Sequence, residues 1–180
     1  MTDTALALIN KNIDLDIQDS VGDTALMYTC ANKSIAKVFT ALIDKKADIN
    51  KTNKNNETPL IYSCQRNNEK NAMELINAGA EVNVRDRTNK SALIYALKNG
   101  LYNVVMKLID KNADINIVDR KGNTALFVAI DLRLEDIAIK MINSYKNIDF
   151  NHKNKKKYTA LTYARNMKLD KLVQLLSDKN

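Results

Sequence analysis

The chain has 180 residues, and its 28 basic and 21 acidic side chains give a formal net charge of +7. With one histidine, two cysteines and neither a GxGxxG nor a Walker-type loop, it contains no arrangement typical of a catalytic triad, a metal site or a nucleotide site. We therefore expect no enzyme activity, no metal and no cofactor. No apolar run approaches the length of a membrane span, and no Pro/Gly/Ser-rich linker divides the chain.

The predicted helices follow one another along the chain with a fixed period. After an N-terminal segment, residues 1–23, a Thr-Ala-Leu signal or a close variant opens five units at spacings of 34, 33, 33 and 35 residues, namely at Thr24, Thr58, Ser91, Thr124 and Thr159. The opening hydroxyl can cap a helix, since it accepts a hydrogen bond from a free backbone N–H. A period of this length predicts stacked repeats, so we expect one elongated all-α domain over residues 1–180, with the last unit as a cap.

Each unit is predicted to contain two short helices followed by a turn. In the unit that opens at Ser91, apolar or small residues two, five and six positions after the cap mark a first helix, and a second helix is predicted from Leu101 to Lys111. In the turn that follows, Gly122 lies where the backbone needs a positive φ, which glycine adopts without steric cost. Lys157 is a poor fit to the same position in the last unit, so we expect a strained turn there.

Two segments are expected to depart from the regular unit. Residues 1–11 align with a second helix whose first helix is missing, so this end is either a minimal cap or the edge of a longer array. Its apolar residues are expected to pack on the following unit; they are Ala5, Leu6, Leu8 and Ile9. Asn71 stands in the second helix of the unit that opens at Thr58, where later units have Val104 and Ile137, and this predicts a packing defect.

The two cysteines are predicted to be buried and free. Cys30 and Cys64 each lie six residues after a cap, in a row that is apolar in the next two units. Packed helices lie roughly 8–10 Å apart, whereas a disulfide requires Cα atoms within about 7 Å. A disulfide between them is therefore not expected, and nothing in the sequence requires an oxidising compartment.

The pattern of turn, cap and helix ends resembles the ankyrin-repeat family. The family motif D-x-x-G-x-T-P-L-H-x-A-A is matched at Asp119, Gly122, Thr124 and Leu126, and the family ending G-A-D-V-N is matched by GAEVN at residues 79–83. The resemblance implies helix-turn-helix units with β-turn fingers, in which the first helices line a concave groove. The family's histidine, three residues after the cap, is absent from all five units, so its hydrogen bonds must be missing or replaced.

One candidate binding surface is a row on the first helices. Residues four and eight positions after each cap are predicted to point away from the core, and tyrosine occupies the fourth position in four of five units. Tyrosine and arginine are enriched at binding hot spots. The rings could equally lie flat against neighbouring units as ordinary packing. We call the following candidate residues the concave row: Tyr28, Tyr62, Arg66, Tyr95, Val128, Leu132 and Tyr163.

The second candidate surface is formed by the turns. Residues 1–90 contain 12 basic and 12 acidic side chains, whereas residues 91–180 contain 16 and 9, so the excess positive charge lies in the second half. Such a surface attracts an acidic protein, nucleic acid or anionic lipid, although charge runs are usually solvated faces. We call the following candidate residues the finger tips: Lys54, Arg87, Lys90, Arg120, Lys121, Lys155, Lys156 and Tyr158.

Together these features predict a non-enzymatic module that binds another protein, which could be acidic, through the concave row and the finger tips. The alternative is binding of nucleic acid or another polyanion by the basic C-terminal fingers. A third hypothesis is a structural fragment or accessory whose partner lies elsewhere in a longer protein. Because the chain lacks the basic start and continuous apolar core of a signal peptide, we expect a soluble, intracellular monomer.

Overall fold

The computed structural model describes residues 2–11 and 13–179, and all regular structure in those residues is helical. This confirms the predicted all-α class. Met1 and Asn180, the limits of the predicted domain, and Asn12 lie outside the described residues. The described helices are α1 (Thr2–Ile9), α2 (Ala25–Ala31), α3 (Ala36–Asp44), α4 (Pro59–Gln65), α5 (Glu69–Asn77), α6 (Ala92–Lys98), α7 (Tyr102–Asp110), α8 (Ala125–Asp131), α9 (Glu135–Ser144), α10 (Ala160–Met167) and α11 (Asp170–Ser177).

The first helix of each repeat begins directly after the predicted cap. In four repeats the threonine hydroxyl accepts a hydrogen bond from the N–H three residues later; these caps are Thr24, Thr58, Thr124 and Thr159. Ser91 has the same extended backbone, but its buried hydroxyl has no hydrogen-bond partner among the described residues. The third repeat therefore begins its first helix without the side-chain cap that the sequence predicts.

The helices stack in two rows. The first helices pack in the order α2, α4, α6, α8 and α10. Among the second helices, α1 packs on α3. The later second helices pack in the order α5, α7, α9 and α11. The leucines two positions after the caps are buried in the first four repeats, which confirms the predicted core stripe. Full burial of a leucine side chain contributes about 1.5–3 kcal/mol, and here the neighbouring repeat supplies part of that burial. Each repeat therefore depends on its neighbours for stability.

Helix α1 packs as a second helix, but one predicted contact is wrong. Ile9 is buried and Ala5 and Leu6 pack against the core, whereas Leu8 is 48% exposed. With 3.6 residues per turn, Ala5, Leu6 and Ile9 share one stripe, and Leu8 projects from an adjacent face.

The turns all carry a positive φ at the predicted position. Gly22, Asn56, Asn89, Gly122 and Lys157 have φ between 59° and 86°. The last turn keeps a regular hydrogen bond, from the Lys157 N–H to the Asn154 carbonyl at 2.8 Å. Its strain therefore lies in the φ angle of Lys157, since a left-handed backbone costs a non-glycine residue about 1–2 kcal/mol.

Asn71 is not a packing defect, and that prediction is wrong. Its side-chain amide is buried and donates to the Thr29 carbonyl at 3.1 Å, while Asn68 donates to the Cys30 carbonyl at 3.0 Å. These carbonyls lie in the last turn of α2, where backbone acceptors lack the regular helical donor four residues later. The two asparagines therefore cap the first helix of the preceding repeat.

Both cysteines are buried and free, as predicted. Burial raises the pKa of the Cys30 thiol to about 12 and raises that of Cys64 as well. Because the thiolate is the reactive form, these side chains act as small core residues.

Candidate functional site

The five turns are built alike, and we call them fingers 1 to 5: residues 19–23, 53–57, 86–90, 119–123 and 154–158. Each finger is assigned to the repeat whose first helix follows it. Each opens with an aspartate or asparagine whose side-chain oxygen accepts the N–H groups two and four residues later. In finger 4 Asp119 accepts from Lys121 at 2.8 Å and from Asn123 at 3.0 Å. Asp and Asn favour turns because of this bonding. The sequence thus fixes each finger locally.

Neighbouring fingers are joined by backbone hydrogen bonds. The Lys54 N–H donates to the Val21 carbonyl at 3.0 Å, and the Lys155 N–H donates to the Lys121 carbonyl at 3.0 Å. Fingers 2 and 3 are joined in the same way, from Arg87 to Asn55 at 2.8 Å. Fingers 3 and 4 are joined instead by a side chain, since the Arg120 guanidinium donates to the Arg87 carbonyl at 3.0 Å. The fingers therefore form a connected edge.

The tyrosines of the concave row are tied to aspartates. The Tyr28 hydroxyl donates to Asp19 at 2.6 Å, and the Tyr95 hydroxyl donates to Asp86 at 2.6 Å, in both cases within one repeat. Burial, followed by the hydrogen bond to Asp86, raises the pKa of Tyr95 to about 12. Burial alone would raise the pKa of Asp86, but hydrogen bonds from Tyr95 and from finger 3 outweigh it and lower this pKa.

The residue that opens the finger decides where the tyrosine donates. Fingers 2 and 5 open with Asn53 and Asn154, so their repeats have no carboxylate at that position. Tyr62 instead donates to Asp23 of finger 1 at 3.1 Å, and Tyr163 donates to Asp131 at the end of α8. These two rings lean onto the preceding repeat.

Val128 was predicted to point outward, and this is wrong because it is only 4% exposed. Tyr163 leans from α10 onto α8, where its ring lies 5.8 Å from that of Phe127 and its hydroxyl reaches Asp131. Val128 lies between Phe127 and Asp131 in α8, the helix on which α10 packs.

The remaining members of the concave row differ in exposure. Tyr28 is 54% exposed and Leu132 is 41% exposed, whereas Tyr62, Tyr95 and Tyr163 are half-buried. The exposed guanidinium of Arg66 stacks over the Tyr62 ring, 5.2 Å from its centroid. The rings are thus both packed and partly accessible.

Several cations of the finger tips already have partners within the chain. The Lys54 ammonium donates to the Ser20 carbonyl at 2.7 Å, and the Arg120 guanidinium donates to the Arg87 carbonyl at 3.0 Å. The Lys90 ammonium lies 5.0 Å from the centroid of the Tyr95 ring. Among the finger tips, by contrast, the ammonium groups of Lys121, Lys155 and Lys156 have no ion pair, hydrogen bond or aromatic contact with a described residue, and the same holds for the Arg87 guanidinium.

These three lysines line one cleft between fingers 4 and 5, which we call the C-terminal cleft. It has a volume of about 380 Å³. Five lining residues belong to the concave row or the finger tips, namely Arg120, Lys121, Lys155, Lys156 and Tyr163. The other three lining residues are Asn123, Asp131 and Asn154, which belong to neither set. Asn154 opens finger 5, and its position in the predicted turn could have indicated from the sequence that it lies near the finger tips. Nothing in the sequence signalled Asp131.

Aromatic rings lie beneath and beside the cleft. The Phe127 ring is 6.1 Å from His152 and 5.8 Å from Tyr163, and Tyr163 is 5.7 Å from Tyr158. A ring nitrogen of His152 hydrogen-bonds with the Gly122 carbonyl at 2.7 Å. Rings from α8, α10, finger 5 and the segment before it therefore contact one another.

A family model described as ankyrin repeats, in three copies, matches the chain at four overlapping placements, residues 1–86, 36–119, 72–154 and 93–180. The chain belongs to the ankyrin-repeat family. Ankyrin repeats are generally protein–protein interaction modules, and the family is typically non-enzymatic. A search of curated proteins finds no match to this ankyrin-repeat chain. Within residues 2–11 and 13–179, none of its helices is long and apolar enough to span a membrane.

Proposed function

We propose that this ankyrin-repeat chain acts as a non-enzymatic module that binds another protein across the concave row and the finger tips. The observation that carries the proposal is the set of tyrosine–aspartate hydrogen bonds, at Tyr28–Asp19, Tyr62–Asp23 and Tyr95–Asp86. They tie helix-borne aromatic rings to the bases of the fingers. The two surfaces nominated separately by the sequence therefore form one face.

Rigidity is the physical advantage of this face. A surface whose side chains are already held in place loses little conformational entropy when a partner binds. A standard interface needs about 800 Å² per partner, so a partner would contact several adjacent repeats. We propose that residues 1–180 act as one domain, so that adjacent repeats contact the partner together, and that this domain is a monomer.

The test is affinity capture from lysate of the source cell, with captured proteins identified by mass spectrometry and then purified for direct binding. The face variant is Tyr28→Ala/Arg66→Ala/Leu132→Ala, which changes exposed side chains and spares the core. Its matched control, on second helices, is Tyr102→Ala/Lys70→Ala/Leu8→Ala, in which Tyr102 and Leu8 are 49% and 48% exposed. Both variants should melt like the wild type.

We expect the purified partner to bind the face variant at least about tenfold more weakly than the wild type, because two exposed hot-spot residue types are removed. The control variant should bind within about twofold of the wild type, since it leaves the face intact. Equal losses in both variants, or a loss in the control alone, would place the interface elsewhere.

Binding of nucleic acid or another polyanion is the second candidate, and the unpaired lysines of the C-terminal cleft favour it. Phosphate contacts release condensed counterions, so affinity would fall steeply with salt. A shallow salt dependence with a single-stranded DNA oligonucleotide would contradict this candidate.

A further inference from the structure

We propose that the C-terminal cleft binds an acidic segment of the partner protein, whose aspartate or glutamate carboxylates pair with Lys121, Lys155 and Lys156. The inference rests on the proposed protein-binding function and adds the chemistry of the segment that the last two fingers receive. It also sets the direction of the partner along the face, with its acidic part at the C-terminal end.

The C-terminal cleft gathers positive charge from two neighbouring fingers. The three lysines come from two fingers joined by the hydrogen bond between Lys155 and Lys121. Arg120, which also lines the cleft, donates to a carbonyl, whereas the Lys54 and Lys90 ammonium groups outside it contact a carbonyl and a ring. The lining contains four cations and one carboxylate, Asp131. An anion in the cleft therefore meets charge that no group of this chain has already neutralised.

The C-terminal cleft differs in charge from the equivalent position between fingers 1 and 2. There the last finger residues are Asp23 and Glu57, both buried, and the Asn53 amide donates to each of them at 2.8 Å. Between fingers 4 and 5 the buried Asn154 amide donates to the Asn123 side-chain oxygen at 3.0 Å instead. Two carboxylates are thus replaced by neutral groups.

This replacement leaves a hydrogen-bond donor at the cleft. The side-chain oxygen of Asn123 accepts from Asn154, while its own amide group donates to no other described residue. A carboxylate can accept from such an amide as well as from the lysines. The junction of fingers 1 and 2 thus holds two buried carboxylates, whereas the junction of fingers 4 and 5 holds an amide donor beside cations.

The side chains of the cleft favour a carboxylate over a phosphate. The free cations of the cleft are lysines, which act as point charges, whereas the Arg120 guanidinium, which could bind a phosphate with two parallel hydrogen bonds, already donates to Arg87. Asp131 in the wall opposes a continuous phosphate backbone that would run across it. A short acidic peptide can avoid this carboxylate, and its methylene carbons can pack on Tyr163.

The probe is fluorescein-labelled hexaglutamate, measured by fluorescence anisotropy at about 150 mM salt. The cleft variant is Lys121→Gln/Lys155→Gln/Lys156→Gln. The matched control removes the same number of charges from fingers 2 and 3, as Lys54→Gln/Arg87→Gln/Lys90→Gln. If the cleft is the site, the cleft variant should bind about tenfold more weakly, since three exposed ion pairs are lost, while the control stays within about threefold.

A gain-of-binding variant removes the ambiguity of a damaged fold. Asp131→Asn keeps an oxygen that can accept from Tyr163 but removes the only carboxylate in the lining. Less repulsion should tighten hexaglutamate binding about threefold. Amide chemical shifts in wild-type protein should move in fingers 4 and 5 and remain fixed in finger 1.

If the cleft variant and its control lose affinity for hexaglutamate equally, the peptide is attracted by net charge alone and the proposal is overturned. Unchanged affinity in Asp131→Asn would overturn it as well. A (dT)12 oligonucleotide that binds more tightly than hexaglutamate and is lost in the cleft variant would replace it with nucleic-acid binding. If hexaglutamate fails but a captured partner still requires Tyr28, Arg66 and Leu132, only the acidic-segment proposal fails. If hexaglutamate binds the cleft and the face variant loses no partner, the proposed face fails instead.

Discussion

The Tyr95 hydroxyl donates a 2.6 Å hydrogen bond to the Oδ2 atom of Asp86, the residue that opens the finger of the same repeat. The other oxygen of this buried carboxylate accepts the N–H groups of Thr88 and Lys90. One aspartate therefore connects a first helix to a finger and also shapes that finger. The face proposed for partner binding depends on this connection.

Replacing Tyr95 with phenylalanine should lower the free energy of unfolding by about 1 kcal/mol at pH 7, because Asp86 loses one donor. The control is Tyr102→Phe, because the exposed Tyr102 hydroxyl has no hydrogen-bond partner among the described residues. This substitution should change the free energy of unfolding by less than about 0.5 kcal/mol. Urea unfolding of both variants measures the difference. Equal effects would mean that the Tyr95–Asp86 bond contributes nothing specific.

The stability difference between wild type and Tyr95→Phe should depend on pH at both extremes. Asp86 has a pKa below its ordinary value of 3.8 in the folded protein, so its contribution is present above pH 3.8 and lost as the pH falls through the folded pKa. Tyr95 has a pKa raised from 10.0 to about 12, so its contribution is present below pH 10 and lost as the pH rises toward 12. The difference should be largest between these limits, and a difference that stays constant as the pH falls below 3.8 until Asp86 is protonated would contradict the assignment.

Gly22→Ala should destabilise the protein more than Gly79→Ala. Both glycines have φ near 90°, at 86° and 89°, so alanine costs each about 1–2 kcal/mol. At Gly22 the added Cβ would also lie 2.7 Å from the Lys54 backbone nitrogen, whereas at Gly79 it meets nothing within 4 Å. Overpacking should add about 1–3 kcal/mol. Urea unfolding measures the loss of stability in each variant. Faster hydrogen exchange of the Lys54 amide in Gly22→Ala would place the disruption between fingers 1 and 2. Equal losses of stability in the two variants would show that these fingers can move apart without cost.

Lys157→Asn should stabilise the protein by about 0.5–1 kcal/mol, because asparagine tolerates the left-handed backbone that Lys157 adopts at φ 66°. Asn56 and Asn89 already occupy the equivalent position in fingers 2 and 3. Lys157→Ala is the control, since it removes the same charge without relieving the backbone strain. Thermal unfolding separates the two effects: a similar gain in both variants would assign the effect to charge.

Neither cysteine should react with a thiol reagent while the protein is folded, and both should react after unfolding in urea. Burial keeps the thiols protonated, with the pKa of Cys30 raised to about 12, and also blocks access. Ser34→Cys, at an exposed position, provides a reactive control within the same fold. Reaction of the native wild type at the rate of that control would contradict the buried assignment.

The sequence predicted the helices, the caps and the turns because these depend on residues close together in the chain. The hydroxyl at Thr124, the apolar stripe behind it and the glycine at 122 act within one repeat. The fixed period then implied that each repeat meets the next in the same way. For the same reason the burial of Cys30 and Cys64 followed from their place in a core row.

The direction of long side chains across repeats was decided only by the tertiary structure. Tyr62 and Tyr163 donate to aspartates of the preceding repeat, since their own fingers open with asparagine, and Val128 is buried rather than outward. Likewise, charge counts located the basic half of the chain, but contacts between repeats determined which lysines remain unpaired. Local periodicity specifies which face a residue occupies, whereas the partner that a long polar side chain finds depends on groups supplied by the neighbouring repeat.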